Sequence, residues 1–287
     1  MRMDLVYIVL MIVFTILIIL TNGILLTVIL SSELLRYSSK HLLMASLALG
    51  DILFGMYIGP VLIDVSIWNR PMICHAQLAL EVTYSIIIPF VTTMAVAVMN
   101  MDYIMTIGCY CYINGRLQNV MRTILLLLPW ILCLGVLIPL FLLSLDSLWT
   151  CSFLFDINRL LHLFLALSFF PAAFLVIVSA LAAVFTYRFK WRSMMRVSEM
   201  RPLYTSLVPP TDVCIASFMT ILLYTPIAVM LVFGNNIRCP TLEHSCDAFC
   251  WIQMAAQILF MLKSFCLPCI WIKCVNVRKA AIRLVSC

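Results

Sequence analysis

Long apolar runs separated by short polar segments recur along the whole chain. A helix needs about 20 consecutive apolar residues to cross the ~30 Å hydrocarbon core of a bilayer, and each run reaches that length. Each run therefore predicts one membrane-spanning helix. The seven predicted spans cover residues 5–30, 41–67, 74–107, 121–144, 160–186, 212–233 and 250–272.

The final segment, 275–287, has a different pattern from the seven runs. Apolar residues such as Val277 and Ala281 are interleaved with basic residues such as Arg278 and Lys279. This mixture predicts a short amphipathic helix that lies on the membrane surface and does not cross it.

The composition agrees with this pattern. Of the 287 residues, 65% are hydrophobic and 10% are charged, whereas a soluble domain is about half apolar and about a quarter charged. We therefore expect an all-α membrane protein in which residues 1–287 form a single seven-transmembrane helix bundle. The same composition leaves no stretch for a separate soluble domain.

The basic residues indicate the orientation of the bundle. Thirteen of the 18 Lys and Arg residues fall in segments on one side of the predicted spans, four fall on the other side, and Lys263 lies inside the last span. The positive-inside rule places the richer side in the cytosol. We expect a multi-pass plasma-membrane protein with its N-terminus outside and its C-terminus in the cytosol. Because the basic residues act as topology signals, the net charge of +6 indicates membrane lipid and not nucleic acid as a partner.

Cysteines on the outer side are candidates for disulfide bonds. Cys74 and Cys151 both face an oxidising compartment, where a disulfide is chemically allowed. Cys239, Cys246 and Cys250 crowd the last outer segment, and a second bridge between Cys239 and Cys246 is also allowed. The sequence alone does not fix the pairing.

Short motifs occur in a fixed order along the predicted spans. They are Thr21-Asn22-Gly23 in the first span, Leu47-Ala48-Leu49-Gly50-Asp51 in the second, Trp68 before Cys74, Tyr224-Thr225-Pro226 in the sixth and Leu267-Pro268-Cys269-Ile270-Trp271 in the seventh. Together with the topology, this order resembles the rhodopsin-like (class A) G-protein-coupled receptors over nearly the whole chain. The chain is most similar to divergent orphan and odorant-receptor-like members, such as the fish odorant receptor 131-like group.

The resemblance implies a set of functional roles. An extracellular small-molecule ligand would bind within the bundle, and a heterotrimeric G protein would bind its cytosolic face. Kinks at Pro226 and Pro268 would act as hinges, and a Cys74–Cys151 disulfide would fix the outer rim. The candidate ligand contacts are Glu81, Tyr84, Ser85, Phe169 and Tyr224.

Two features of the third span leave alternatives open. Counting from Cys74 places Glu81 at the ligand-facing position, whereas counting from Asp102 places Ser85 there. Asp102 and Tyr103 occupy the family's Asp-Arg-Tyr region without an arginine, so either Tyr103 or Asp102 replaces the arginine, depending on the register. Two functions therefore remain: an orphan or chemosensory receptor that signals, or a non-signalling receptor-like protein that serves as a dimer or trafficking partner.

Asp51 and Lys263 form the sharpest pair of polar residues in the sequence. Both lie deep in apolar spans, where an isolated charge costs several kcal/mol. Because opposite charges compensate each other in such a setting, we expect a direct Asp51–Lys263 salt bridge. The alternative is that Lys263 points into a water-filled cavity or extends toward the interface. By the resemblance, Asp51 matches the family's sodium-binding carboxylate, and the Lys263 ammonium would replace the ion.

The remaining candidate chemistry is sparse. Cys274 and Cys287 are candidate palmitoylation sites on the cytosolic side. The four histidines are scattered, and no metal-spaced His/Cys cluster, phosphate loop or Ser/His/Asp set occurs. We expect no enzyme activity, no metal and no cofactor.

Overall fold

A computed structural model describes residues 5–58, 86–109, 115–139, 142, 159–196, 209–233 and 243–286. Within these residues the secondary structure consists of helices and turns. The helices are α1 (Leu5–Ser31), α2 (Glu33–Arg36), α3 (Ser39–Leu53), α4 (Ile88–Cys109), α5 (Gly115–Leu132), α6 (Arg159–Arg196), α7 (Thr211–Phe233), α8 (Glu243–Ile272) and α9 (Val275–Ser286). Helices α3 and α5 continue into π-helical turns at Phe54–Ile58 and Cys133–Leu137.

Five helices in the described part of the chain are long and apolar enough to cross a membrane, judged by length and composition. They are Leu5–Ser31, Ile88–Ile107, Ala166–Arg192, Thr211–Met230 and Met254–Ile272. These five fall within or overlap the first, third, fifth, sixth and seventh predicted spans. The described part of the chain is therefore helical, as predicted, and its long apolar helices support a membrane-embedded protein. The second and fourth predicted spans coincide with α3 and α5, which are described over shorter lengths, so the count of seven stays a prediction.

Helix α4 lies at the centre of the helix arrangement. It contacts α3, α5, α6 and α7, and it is the most deeply buried of the five long apolar helices. Helix α8 lies between α1 and α7, and α1 also contacts α3. The central position of α4 fits its sequence, because it has no separate polar face and carries alanines such as Ala95 and Ala97, which let neighbouring helices approach closely.

The outer surface of the bundle is apolar. Large side chains such as Phe174, Leu181 and Phe185 on α6 are exposed, as are Ile16 and Leu20 on α1. In a soluble protein such a surface would be an aggregation liability, whereas in a bilayer it meets lipid tails. The exposed face therefore supports a membrane-embedded protein.

Helix α9 has the predicted amphipathic character. Val277 is fully buried against the bundle, while Arg278 and Lys279 are exposed. Val275 and Ile282 are also exposed. Because they are seven residues apart, they project from nearly the same side of the helix, and viewed along the axis that side lies between Arg278 and Lys279. This outward face combines apolar and basic groups, as expected for a helix at the membrane surface.

Gly55 marks a close approach between the extension of α3 and α1. A Cβ added at Gly55 would lie 2.8 Å from Cγ1 of Ile19, whereas one added at Gly135, in the π-helical turn after α5, would meet nothing within 4 Å. We expect Gly55→Ala to destabilise the bundle by about 1–3 kcal/mol, because the overlap forces the two helices apart. Thermal unfolding of the detergent-solubilised protein measures this, with Gly135→Ala as the matched control. Equal melting temperatures for the two variants would contradict the close contact.

Candidate functional site

Asp51 is the centre of a buried polar site between α3 and α8. Its side chain lies near the end of α3 and is almost fully buried. Oγ of Ser264 on α8 donates a hydrogen bond to Oδ1 of Asp51 over 2.8 Å. The carboxylate therefore has a direct partner on a helix that is more than 200 residues away in sequence, which ties α3 to α8.

Lys263 is fully buried beside this site, but it does not bond to Asp51. Its Nζ has no hydrogen-bond partner among the described residues, and it lies 4.6 Å from the centre of the Phe260 ring. The ammonium and the carboxylate lie close enough to interact through space. The predicted direct salt bridge is therefore wrong: Ser264 takes the place on the carboxylate that we assigned to Lys263.

The physical reason is helix geometry. Consecutive residues on a helix point about 100° apart, so Lys263 and Ser264 leave α8 in different directions, and the shorter Ser264 side chain is the one that bonds to Oδ1 of Asp51. Ser264 faces α3, while Lys263 follows the same helix face as Phe260, three residues earlier. The lysine is stabilised by cation–π contact with that ring and by the nearby carboxylate.

Asn22 joins a third helix to the site. Its Nδ2 donates to the carbonyl of Ser264 over 3.0 Å and to the carbonyl of Ile18 in its own helix over 2.9 Å. Pro268 lacks the N–H that would otherwise bond to the Ser264 carbonyl four residues earlier. Asn22 on α1 therefore supplies the hydrogen bond that Pro268 cannot, which stabilises the predicted hinge in α8. Oδ1 of Asn22 has no partner within the described part of the chain.

Aromatic rings connect this site to α6 and α7. Phe260 contacts Phe54 edge-on at 5.9 Å and Tyr224 at 6.4 Å, and Tyr224 contacts Phe169 edge-on at 5.2 Å between ring centres. Phe169 and Tyr224 were predicted to contact a ligand. Both are buried in the core, where their rings pack edge-to-face against each other. Their contact with a ligand stays a prediction.

A small cavity lies on the other side of Asp51. It has a volume of about 40 Å³ and is lined by residues of α3, α4 and α5, including Gly50, Asp51, Thr92 and Trp130. This is enough space for one or two water molecules. Nε1 of Trp130 donates to Oγ of Ser46 over 3.2 Å and holds the tryptophan against α3.

Asp102 and Tyr103 lie near the end of α4, and both are partly buried. The phenol of Tyr103 lies near Tyr187 on α6 and Cys214 on α7, close enough for electrostatic interaction. Tyr103 therefore lies where α4, α6 and α7 meet. Which of the two residues takes the position of the family's arginine stays open.

Cys274 lies in the turn between α8 and α9 and is buried. Its Sγ donates to Oδ2 of Asp212 at the start of α7 over 3.1 Å, and Nζ of Lys40 lies 3.7 Å from the same oxygen. Burial, opposed by Lys40 and reinforced by Asp212, raises the pKa of the Cys274 thiol to about 12. A protonated, buried thiol is a poor nucleophile, so the structure argues against the predicted palmitoylation of Cys274.

Several predicted site residues have side chains outside the described part of the chain. They are Cys74, Glu81, Tyr84, Ser85, Cys151, Cys239, Cys246 and Cys287. The predicted hinges Pro226 and Pro268 lie inside α7 and α8.

Three important polar residues were not identified from the sequence: Ser264, Asp212 and Asn100. Ser264 and Asn100 are both completely buried, and each lies in an apolar run. Both could have been predicted from the general rule that polar side chains inside a membrane bundle form contacts between helices.

No family model matches the chain, and no curated protein matches it with significant sequence similarity.

We expect Cys274→Ser to leave the incorporation of a clickable palmitate analogue unchanged in cells, because the thiol is buried and protonated at neutral pH. Gel fluorescence after affinity purification measures the incorporation, with Lys273→Gln as a control for a change at the neighbouring exposed position. Loss of most of the label in Cys274→Ser alone would contradict the buried arrangement.

Proposed function

We propose that the chain is a rhodopsin-like receptor of the orphan or chemosensory type, with seven membrane-spanning helices in the plasma membrane. The observation that carries the proposal is the buried polar site at which Asn22, Asp51 and Ser264 connect α1, α3 and α8. Polar groups inside a membrane bundle are expensive to bury and usually serve a function. Asn22 and Asp51 lie within the motifs that resemble the receptor family.

The proposed mechanism uses the kinked helices. A small molecule enters from the outer side, with Glu81 or Ser85 as its polar contact. Its binding separates the aromatic rings of Phe169 and Tyr224, and α7 and α8 move about Pro226 and Pro268. The movement opens the cytosolic face around Tyr103 to a G protein. In this proposal the N-terminus lies outside the cell and the basic loops lie in the cytosol.

Lys263 determines whether the polar site around Asp51 can hold a cation. The ammonium beside Asp51 supplies the counter-charge, and Leu267, which is also buried, offers no oxygen ligand. A positive charge repels a cation and a leucine cannot coordinate one, so these residues do not fit a sodium ion. We infer that the resting state depends on the Asp51–Lys263 interaction and not on a bound ion.

A second function is favoured by one observation. Neither Asp102 nor Tyr103 can replace the guanidinium that meets the G protein in the receptor family, and the Tyr103 phenol lies against α6 and α7. The chain would then be a non-signalling receptor-like protein, such as a dimer or trafficking partner.

The test is G-protein activation in cells that express the chain at the surface, measured without ligand and with panels of odorants and amines. We expect the native chain to signal and Lys263→Met to change its basal level about two-fold or more, because the substitution keeps the side-chain volume and removes the charge that balances Asp51. Leu262→Met at the adjacent position is the matched control.

The contrary outcome distinguishes the two functions. If the native chain reaches the surface and stays silent, and only Tyr103→Arg signals, the receptor proposal fails and the non-signalling function replaces it.

A further inference from the structure

A second buried polar cluster joins α4, α6 and α7. It consists of Asn100 on α4, Ser179 on α6 and Ser217 on α7, which are at most 5% exposed. Nδ2 of Asn100 donates to Oγ of Ser179 and to Oγ of Ser217, each over 3.0 Å. Both protons of one amide group are thus used to hold two different helices.

The serine hydroxyls complete the cluster. Oγ of Ser179 donates to the Val176 carbonyl over 3.1 Å, and Oγ of Ser217 donates to the Val213 carbonyl over 2.8 Å. Each hydroxyl therefore accepts from Asn100 and donates to its own helix. Every proton of the three side chains has an acceptor. Oγ of Ser217 also lies 3.3 Å from Oδ1 of Asn100, so its single proton is shared between that amide oxygen and the Val213 carbonyl.

The surroundings of the cluster are apolar. Val176, Val213 and Ala216 around it are all at most 3% exposed. Because these side chains exclude water, separating α7 from α4 would leave the amide with acceptors on α6 alone, namely the Ser179 hydroxyl and the more distant Val176 carbonyl at 3.5 Å. The cluster therefore favours the state in which α7 lies against α4.

The position of Pro226 decides which bond breaks when α7 moves. Ser217 lies between Thr211, the first residue of α7, and the proline, so it belongs to the segment that would swing about a kink there. The bond from Asn100 to Ser217 crosses the moving boundary between α4 and α7. The bond from Asn100 to Ser179 joins α4 to α6 and is unaffected by the swing.

We propose that Asn100 is a latch that holds the 211–225 segment of α7 against α4, and that release of Ser217 from Asn100 opens the cytosolic face beside Tyr103. The latch regulates the proposed receptor and rests on that function for its purpose. Its physical action requires only that α7 can move about Pro226.

Cys214 provides a direct reporter of this opening. It lies one turn before Ser217 on α7, is half-buried and lies near Tyr103 of α4. If α7 moves away from α4, the Cys214 thiol becomes more accessible to an alkylating reagent. Cys133 is buried on the π-helical turn after α5 and reports on general unfolding.

The experiment measures alkylation of the full-length chain in membranes by N-ethylmaleimide, with Cys214 and Cys133 quantified in the same sample by peptide mass spectrometry. We expect Ser217→Ala and Asn100→Leu to raise the rate at Cys214 about five-fold, as follows from losing one interhelical hydrogen bond of typical strength. We expect Ser179→Ala to change the rate less than two-fold, because its bond does not cross the moving boundary.

Thr220→Val is the matched control on α7. Thr220 is fully buried on α7, and its hydroxyl has no hydrogen-bond partner among the described residues, so its removal should leave the Cys214 rate unchanged. A Ser217→Ala rate equal to that of Thr220→Val would overturn the latch. A parallel rise at Cys133 would overturn it as well, because the cluster would then maintain the whole fold and not one helix contact.

The assay does not depend on a G protein. If the native chain does not signal but Cys214 responds as expected, the receptor proposal is rejected and the latch is supported. If the chain signals but Cys214 does not respond, only the latch is rejected.

Discussion

The absence of water from the hydrocarbon core is the constraint on which this structure depends. A polar group there has no solvent to bond, so it is stabilised when it finds a partner in its own helix or in a neighbouring one. The hydroxyls of Thr92, Thr93 and Thr225 use the first solution and donate to a carbonyl one turn earlier. Asn22, Asp51 and Asn100 use the second solution and thereby connect different helices.

The two buried polar clusters divide the bundle into two sets of contacts. Asn22, Asp51 and Ser264 hold α1, α3 and α8 together, while Asn100 and its two serines hold α4, α6 and α7. The aromatic contact between Phe260 and Tyr224 joins the two sets through α8 and α7. This contact does not involve the polar side chains around Asp51.

The sequence predicts the apolar helices well because each is defined by a local property. A long apolar run forms a helix in a bilayer whichever helices pack against it. The runs that correspond to α1, α6, α7 and α8 are examples. The amphipathic helix α9 is predicted for the same reason: the alternation of Val277 with Arg278 and Lys279 is visible without knowledge of the fold.

The site could be predicted only in part because it depends on distant residues. The sequence identifies Asp51 and Lys263 as costly charges, but a choice between Lys263 and Ser264 as the partner needs the rotation of α8 about its axis. The same applies to Asn100, whose partners come from two helices more than 70 residues away. Cys274 was predicted as a palmitoylation site because the sequence does not show that its thiol is buried against Asp212 of α7.

The account depends most directly on the hydrogen bond from Ser264 to Asp51. A double-mutant cycle with Asp51→Asn and Ser264→Ala, measured as the free energy of unfolding in detergent, isolates this contact. We expect the double variant to lose less stability than the sum of the single variants, by about 0.5–2 kcal/mol, as for hydrogen bonds between membrane helices. Additive losses, within about 0.3 kcal/mol, would show that the two side chains do not interact and would contradict the proposed polar centre.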